Sequence, residues 1–386
     1  MLSKYPHQTE MKTYTIRHTQ ADEVPALMAM YEHSRGIMRS NGNENQWVNG
    51  YPSAKVLADD IRRGVSYVVT DDDKAVGTFA FIIGRDPTYE NIDGGSWEDD
   101  ARPYGTVHRL ACAPDRHGIF EACIDWCRSQ ATSLRIDTHA DNGIMLHLIE
   151  KHGFDYRGVI HIADGTPRQA YQMLNTRMLC QPMVEYIDQE ILPRYADFDS
   201  AHRRDHAEKV IENSMALARR RDADLNMAYA IAAYHDLGLI DGRERHHIVS
   251  AQILLRDNNL HRWFSPTQLS LMADAVEDHR ASKSDAPRSL YGMIVAEADR
   301  DIEPMKILRR TVQYGLSHYP DLDKEQQWQR YVEHLNEKYA EGGYMRLWLP
   351  ESENAKQLAM LRQIIADRKR LRDLFEKMFD EESVSS

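Results

Sequence analysis

His206, His235, Asp236, His246, His279 and Asp299 are metal-ligand residue types standing where core residues are expected. His206 heads a helical stripe continued by Val210, Ser214 and Leu217. His235 follows Ile231 and Ala232 by four and three positions, and His246 opens a stripe with Val249, Ser250 and Ile253. His279 closes one made by Met272, Ala275 and Val276, and Asp299 lies between Val295 and Ile302. Residues three or four apart share a helix face, so each polar residue points with its apolar neighbours. A single histidine there is ordinarily a satisfied core residue, and a single aspartate a cap. Five such positions on separate helical segments predict one or two buried divalent cations, because a cation offsets carboxylate desolvation and keeps imidazoles neutral. Mixed nitrogen and oxygen donors suit Mn, Fe, Co, Ni or Zn.

The stretch "AIAAYHDLGLIDG" sets His235 beside Asp236 at the end of an apolar helix. Mid-helix, adjacent side chains diverge by about 100°. Gly238 can supply a left-handed break, which frees Asp236 to swing. Asp236 is then expected to bridge two ions while His235 serves one.

Helices must carry these groups, and the second half of the chain has them. From about residue 183 helical periodicity runs to the C-terminus, broken at "PRYADFDS", "DLGLIDGRE", "SKSDAPRS", "HYPDLD" and "LPESEN". Residues 12–172 instead alternate. "KTYTIRHT" and "VSYVVTDDDKAVGTFAFII" read as strands, the second folded about a solvated Asp71–Lys74 turn. "QADEVPALMAMYEHSRGIM", "GIFEACIDWCRSQA" and "DNGIMLHLIEKHG" read as helices. "YGTVHRLACA", "SLRIDTHA" and "FDYRGVIHI" read as strands. The expected architecture is an α/β domain with a mixed sheet and flanking helices, residues 1–176, followed by an all-α domain, residues 177–386.

The 386 residues exceed one ordinary core. With 48 Lys and Arg against 60 Asp and Glu, the net charge of −12 argues against general nucleic-acid or anionic-membrane binding, which need a basic field. The four cysteines lack zinc-finger spacing and suit a reducing compartment. No apolar run reaches the ~18 residues of a membrane span, and "MLSKYPHQTE" lacks a signal-peptide core. The chain is expected to be cytoplasmic. A homo-oligomer is compatible with the sequence.

The order His206, His235-Asp236, His246, His279, Asp299 resembles the HD superfamily of metal-dependent phosphohydrolases over roughly residues 183–305. The resemblance implies that His206, His235, Asp236 and Asp299 hold one metal and that His246 and His279 serve a second. "RHHIVSAQILL" leaves His247 as an alternative to His246. The implied chemistry is hydrolysis of a phosphate ester or anhydride in a small phosphorylated molecule or nucleotide. Asp236 would orient the nucleophile, and Arg280, Lys283 and Arg300 are candidates for the remaining phosphate charge. A surface cation is the alternative reading for each. His202, Arg203 and Lys209 are weaker candidates.

Residues 107–154 resemble the GNAT acyltransferase fold, through "VHRLACAPDRHGIFEACIDWC" and "RIDTHADNGIMLHLIEKHGF". The resemblance implies acetyl-CoA, with Ala111 and Cys112 on the strand that pairs with pantetheine. Arg116, His117, Gly118 and Ile119 would lie at its pyrophosphate and Asn142 beside it. The chain departs from the family pattern with one early glycine in the phosphate loop, Phe120 at a small-residue position, and Ile149 in place of the usual tyrosine acid. His108 or an acid of "DGGSWEDD" is the candidate base, and Trp47, Tyr51, Trp97 and Tyr104 are candidates to line an acceptor cleft. The leading expectation is a metal-dependent phosphohydrolase fused to an acyl-CoA-binding domain. The alternatives are an N-acetyltransferase with a structural or regulatory helical domain, or a non-catalytic sensor of two ligands.

Overall fold

The structure, a computed structural model, describes residues 14–198, 204–280 and 285–384. The chain packs as two compact units, Met1–Glu185 with Asn259–Pro266, and Tyr186–Asn258 with Thr267–Ser386.

The first unit is built on a seven-stranded sheet in the order β1-β2-β3-β4-β5-β7-β6. In sequence its elements are β1 (Thr15–His18), α1 (Val24–Ser40), α2 (Ala54–Arg62), β2 (Ser66–Asp71), β3 (Lys74–Ile83), β4 (Gly105–Cys112), α3 (Ile119–Gln130), β5 (Ser133–Thr138), α4 (Gly143–Lys151), β6 (Asp155–His161) and β7 (Pro167–Leu174). The β2–β3 hairpin turns through Asp72 and Asp73, both with positive φ, a backbone that short polar side chains tolerate. Alternation along β2 sends Val69 to one face, with Phe79, Val107, Ile124 and Cys127, and Val68 to the other, with Leu27, Tyr31 and Leu57. Helices α3 and α4 cover the first face, and α1 and α2 the second. The four cysteines are free.

Two irregularities shape this sheet. Strand β4 pairs in parallel with β5 only at Gly105↔Leu134, Thr106↔Arg135 and Val107↔Ile136, and beyond that point no β4–β5 pairs follow. On its other side β4 shifts register against β3 between Thr78 and Ala80, where Arg109 takes φ 53°. A bulge of this kind bends a strand and re-aims its side chains. Helix α2 and strand β7 were not expected from the sequence. β7 carries the polar run Arg168–Gln169 and Gln172, which hides its period-two pattern.

Helix α5 (Gln181–Tyr186) closes the first unit and ends on the first residue of the second, which then contains α6 (Arg204–Arg220), α7 (Leu225–Tyr234), α8 (His246–Arg256), α9 (Pro266–Asp278), α10 (Leu290–Ala298), α11 (Pro304–His318), α12 (Lys324–Lys338), α13 (Glu353–Ala366) and α14 (Arg368–Val384). Every residue of α7 is buried, which is why its sequence is apolar all round. The last four helices close on a separate core containing Trp328, Tyr331, Leu361 and Phe375. The charged segment after residue 352 forms two helices, divided at Asp367. Among the described residues no helix is long and apolar enough to cross a membrane.

Candidate metal centre and acyl-transfer cleft

The six ligand candidates come together at helix ends. His206 lies in the first turn of α6, His246 is the first residue of α8, and His235, His279 and Asp299 each follow the last residue of α7, α9 and α10. Three helix C-termini therefore converge on one place, and their partial negative charge favours a cation there. Donor atoms of His206, His235, Asp236 and Asp299 lie within 4.8 Å of one another, as do those of Asp236, His246 and His279.

Asp236 joins the two groups. Its Oδ2 lies 3.3 Å from His235 Nε2 and 3.8 Å from His206 Nε2. Its Oδ1 lies 3.4 Å from His279 Nε2 and 3.6 Å from His246 Nε2. Asp299 Oδ1 is 3.2 Å from His206 Nε2 and 3.7 Å from His235 Nε2.

The backbone sets the tautomers. His235 Nδ1 faces the Ala232 carbonyl at 2.7 Å, His246 Nδ1 that of Arg243 at 2.7 Å, and His279 Nδ1 that of Val276 at 2.5 Å. A carbonyl only accepts, so each Nδ1 carries a proton and each ring turns its Nε2 inward, where its lone pair can serve a metal. Such a backbone partner is the usual way a metal-ligating imidazole is oriented. His246 Nε2 and His279 Nε2 then face each other at 3.1 Å, two lone pairs that need a cation or a proton between them. His235 Nε2 is fully buried and, among the described residues, has no hydrogen-bond partner. These residues fit a divalent metal.

Charge in the cluster is strongly perturbed. Burial works against the His235 imidazolium, but Asp236 and Asp299 outweigh it and raise the group to about 9. Burial likewise opposes the Asp299 carboxylate, and the hydrogen bond from His206 with the charge of His235 brings it down to about 2. Burial lowers His246. His247, the alternative ligand, stays outside both donor groups, and burial with the nearby Arg280 charge lowers it to about 4.

Three supports hold the cluster. The Tyr195 hydroxyl donates to the Ala233 carbonyl at 3.0 Å and accepts the Asp236 N–H at 3.3 Å. Gly238 N–H donates to Ser250 Oγ at 2.8 Å, and a Cβ on Gly238 would lie 2.1 Å from the His246 carbonyl and 2.5 Å from Ser250 N. Asn354 Nδ2 donates to the Glu297 and Arg300 carbonyls, both at 2.8 Å, and its Oδ1 accepts from Ile302 N at 3.2 Å. The buried Glu297 carboxylate accepts from Trp348 N at 2.9 Å and from the Ser352 hydroxyl. Asp299 is thus gripped from both sides by residues far along the chain. Nothing local in the sequence marks Tyr195, Glu297 or Asn354.

The candidate phosphate cations differ. Arg300 Nη1 lies 3.8 Å from Asp299 Oδ2 and donates to the His279 carbonyl at 3.4 Å. Arg280 Nη1 donates to the Glu244 carbonyl at 2.7 Å. Lys209 Nζ bonds Asp301 at 3.3 Å. Lys283, His202 and Arg203 lie outside the described residues.

In the first unit, Ala111 and Cys112 end β4, and Gly118, with φ 78°, caps α3. The Ile119 side chain is buried in the core, and so is Phe120. Arg116 pairs with Asp71 at 2.5 Å, and the His117 carbonyl accepts from Tyr14 at 2.8 Å. Asn142 caps α4 through Met145 N at 3.2 Å and donates to Gln46 at 3.0 Å. The free amides of the first turn of α3 are where an anion is held most readily. Ile149 is wholly buried.

A cavity of about 680 Å³ lies in this unit, with Trp47, Tyr51, His108 and Asn142 among its lining residues. Trp97 and Tyr104, expected with them, instead sandwich Arg135 at 3.9 and 3.7 Å. The cavity wall holds a titratable group that the sequence reading missed. His108 Nε2 faces Asp86 Oδ2 at 3.0 Å, His108 Nδ1 is 3.9 Å from Asp137 Oδ1, and the Tyr89 hydroxyl donates to Asp137 at 2.5 Å. The His108 hydrogen bond brings Asp86 down to about 2 against its burial. Asp86 is concealed in the sequence because Asp-Pro reads as a turn, and it does cap that turn through Thr88 N at 2.9 Å.

Residues 203–302 match the HD domain family model. An acetyltransferase of the GNAT family from Streptococcus agalactiae is 30% identical, with a TM-score of 0.38 over 42% of this chain and 95% of that one. A putative acetyltransferase from Staphylococcus aureus is 21% identical, with a TM-score of 0.32 over 42% and 98%. A predicted HD superfamily hydrolase from an uncultured Thermotogales bacterium is 22% identical, with a TM-score of 0.28 over 40% and 83%. No curated protein matches the chain.

Gly238→Ala is expected to force the turn away from α8, destabilising the protein by about 1–3 kcal/mol in denaturant unfolding. Asn354→Ala is expected to weaken metal binding about 10-fold or more in chelator competition, the range for loss of an outer support.

Proposed function

From an HD domain preceded by a mixed sheet of GNAT fold, we propose that this chain is a metal-dependent phosphohydrolase acting on a small phosphorylated molecule or nucleotide. The observation that carries this reading is Asp236, whose two oxygens face two separate sets of imidazole Nε2 atoms. His206, His235, Asp236 and Asp299 would hold one ion, and Asp236, His246 and His279 a second. Bound there, the ions supply a water acidified toward a pKa of about 7 and a clamp for phosphoryl oxygens. The chain's own residues do the rest. Carbonyls of Ala232, Arg243 and Val276 hold the Nδ1 protons, so each Nε2 stays a donor pair. Arg300 and Arg280 are the described cations beside the cluster that can meet phosphate charge.

The cleft of the first unit favours a second activity, transfer of an acyl group from acyl-CoA. Asp86 accepts the His108 Nε2 proton, which leaves Nδ1 to take a proton from an acceptor. Asp137, held by Tyr89, stands 3.9 Å from that nitrogen and would stabilise the imidazolium. Asn142 and the amides at the start of α3 would meet the cofactor.

Protein purified without chelator is expected to carry one to two metal equivalents by elemental analysis and to hydrolyse members of a phosphomonoester, dinucleotide and cyclic-nucleotide screen. His235→Ala and Asp236→Ala are expected to lose the metal and about 100-fold or more of the rate, since metal chemistry is worth several kcal/mol. Normal metal content in both variants would refute the assignment. For the cleft, calorimetry of the full chain with acetyl-CoA should give saturable heat, and His108→Ala should slow thiol release about 100-fold or more.

A further inference from the structure

Arg168 is the second residue of β7 and is 6% exposed, yet it lines the same cavity as His108. Among the described residues it forms no ion pair. Its side chain donates a hydrogen bond from Nη1 to the carbonyl of its neighbour Pro167, at 2.9 Å. The other sheltered guanidiniums here are paired. Arg109 meets Asp60 at 2.9 Å and the Tyr51 hydroxyl at 3.2 Å, and Arg135 meets Asp100 at 2.9 Å. Arg63, which also lines the cavity, is exposed and solvated.

A guanidinium withdrawn from water is costly unless its charge and its fork of donors are matched. The fork fits the paired oxygens of a carboxylate or phosphate. Asp137 and Asp164 exert a favourable field on Arg168 without bonding it. The same cavity has an opposite character at His108, where Asp86 and Asp137 suit an ammonium group.

We propose that Arg168 is an anion hook and that the cavity takes a small amine that also carries a carboxylate or phosphate. The inference rests on the acyl-transfer reading and names its acceptor. The amine nitrogen bonds to the thioester carbonyl carbon and the carbon–sulfur bond breaks. The amine's proton passes to His108 Nδ1, and the departing thiolate takes a proton from solvent to leave as the free thiol, the imidazolium then returning its proton to solvent.

The test uses the full chain with four probes: ethanolamine phosphate, β-alanine, ethanolamine and putrescine. Each is titrated by calorimetry and then assayed with acetyl-CoA for thiol release. An anion-bearing probe should bind at least about tenfold more tightly than ethanolamine, the scale of one charge-assisted pair. Ethanolamine phosphate against β-alanine decides between phosphate and carboxylate. Arg168→Gln should raise Kd and KM for the preferred probe about tenfold more than for ethanolamine, and Arg168→Lys should restore part of the difference. Equal binding of all four probes, a preference for putrescine, or a preference that survives Arg168→Gln would overturn the proposal. Should Arg168→Gln not fold, the probe ranking on the unaltered chain and the Arg168→Lys shift decide the matter. Absence of both acetyl-CoA heat and thiol release would sink the acyl-transfer reading instead, while the amine titrations still score the hook.

Discussion

Four imidazoles and two carboxylates occupy one largely buried space at the meeting of three helix C-termini. His235, His246 and His279 hold Nδ1 to backbone carbonyls and turn Nε2 inward, and the Nε2 atoms of His246 and His279 face each other at 3.1 Å. Removing so many acceptors from water without compensation is prohibitive. A divalent cation in each of the two donor groups would compensate them. The carboxylates that would hold the ion are the same groups that draw a proton onto His235 when no ion competes.

The cluster is also held from outside. Tyr195 fixes the Asp236 backbone, Ser250 and Gly238 hold the turn against α8, and Asn354 and Glu297 fasten the end of α10. Asn354 belongs to the helical extension, beyond the 203–302 span of the HD match. The extension packs on a separate core, and its Asn354 holds the backbone on both sides of Asp299. Ligands placed at helix ends need such clamps, because terminal turns have fewer backbone bonds to hold them.

The first unit uses a different device. Pairing of β4 with β5 stops after Val107, and the bulge at Arg109 turns β4, so His108 enters a cavity instead of a packed core. Asp86, Asp137 and Tyr89 reach it from a loop, a neighbouring strand and a short helical turn. The cavity thus brings together His108, carboxylates and two sheltered guanidiniums, Arg109 paired with Asp60 and Arg168 without an ion pair among the described residues.

Much of this was legible in the residues themselves. The apolar stripes around His206, His235, His246, His279 and Asp299 placed these side chains inside, because helical spacing dictates which neighbours they share. Alternation and turn residues marked most strands of the sheet, and the Asp72–Asp73 turn was readable from its composition. Strand β7 was not, since buried polar residues interrupt its pattern. Nor were Tyr195, Asn354, Asp86, Asp137 or the isolation of Arg168, because their roles exist only through contacts between distant segments. Local periodicity decides which way a side chain faces; the meeting of helix ends and the parting of two strands decide what it faces, and that is set by packing across the whole unit.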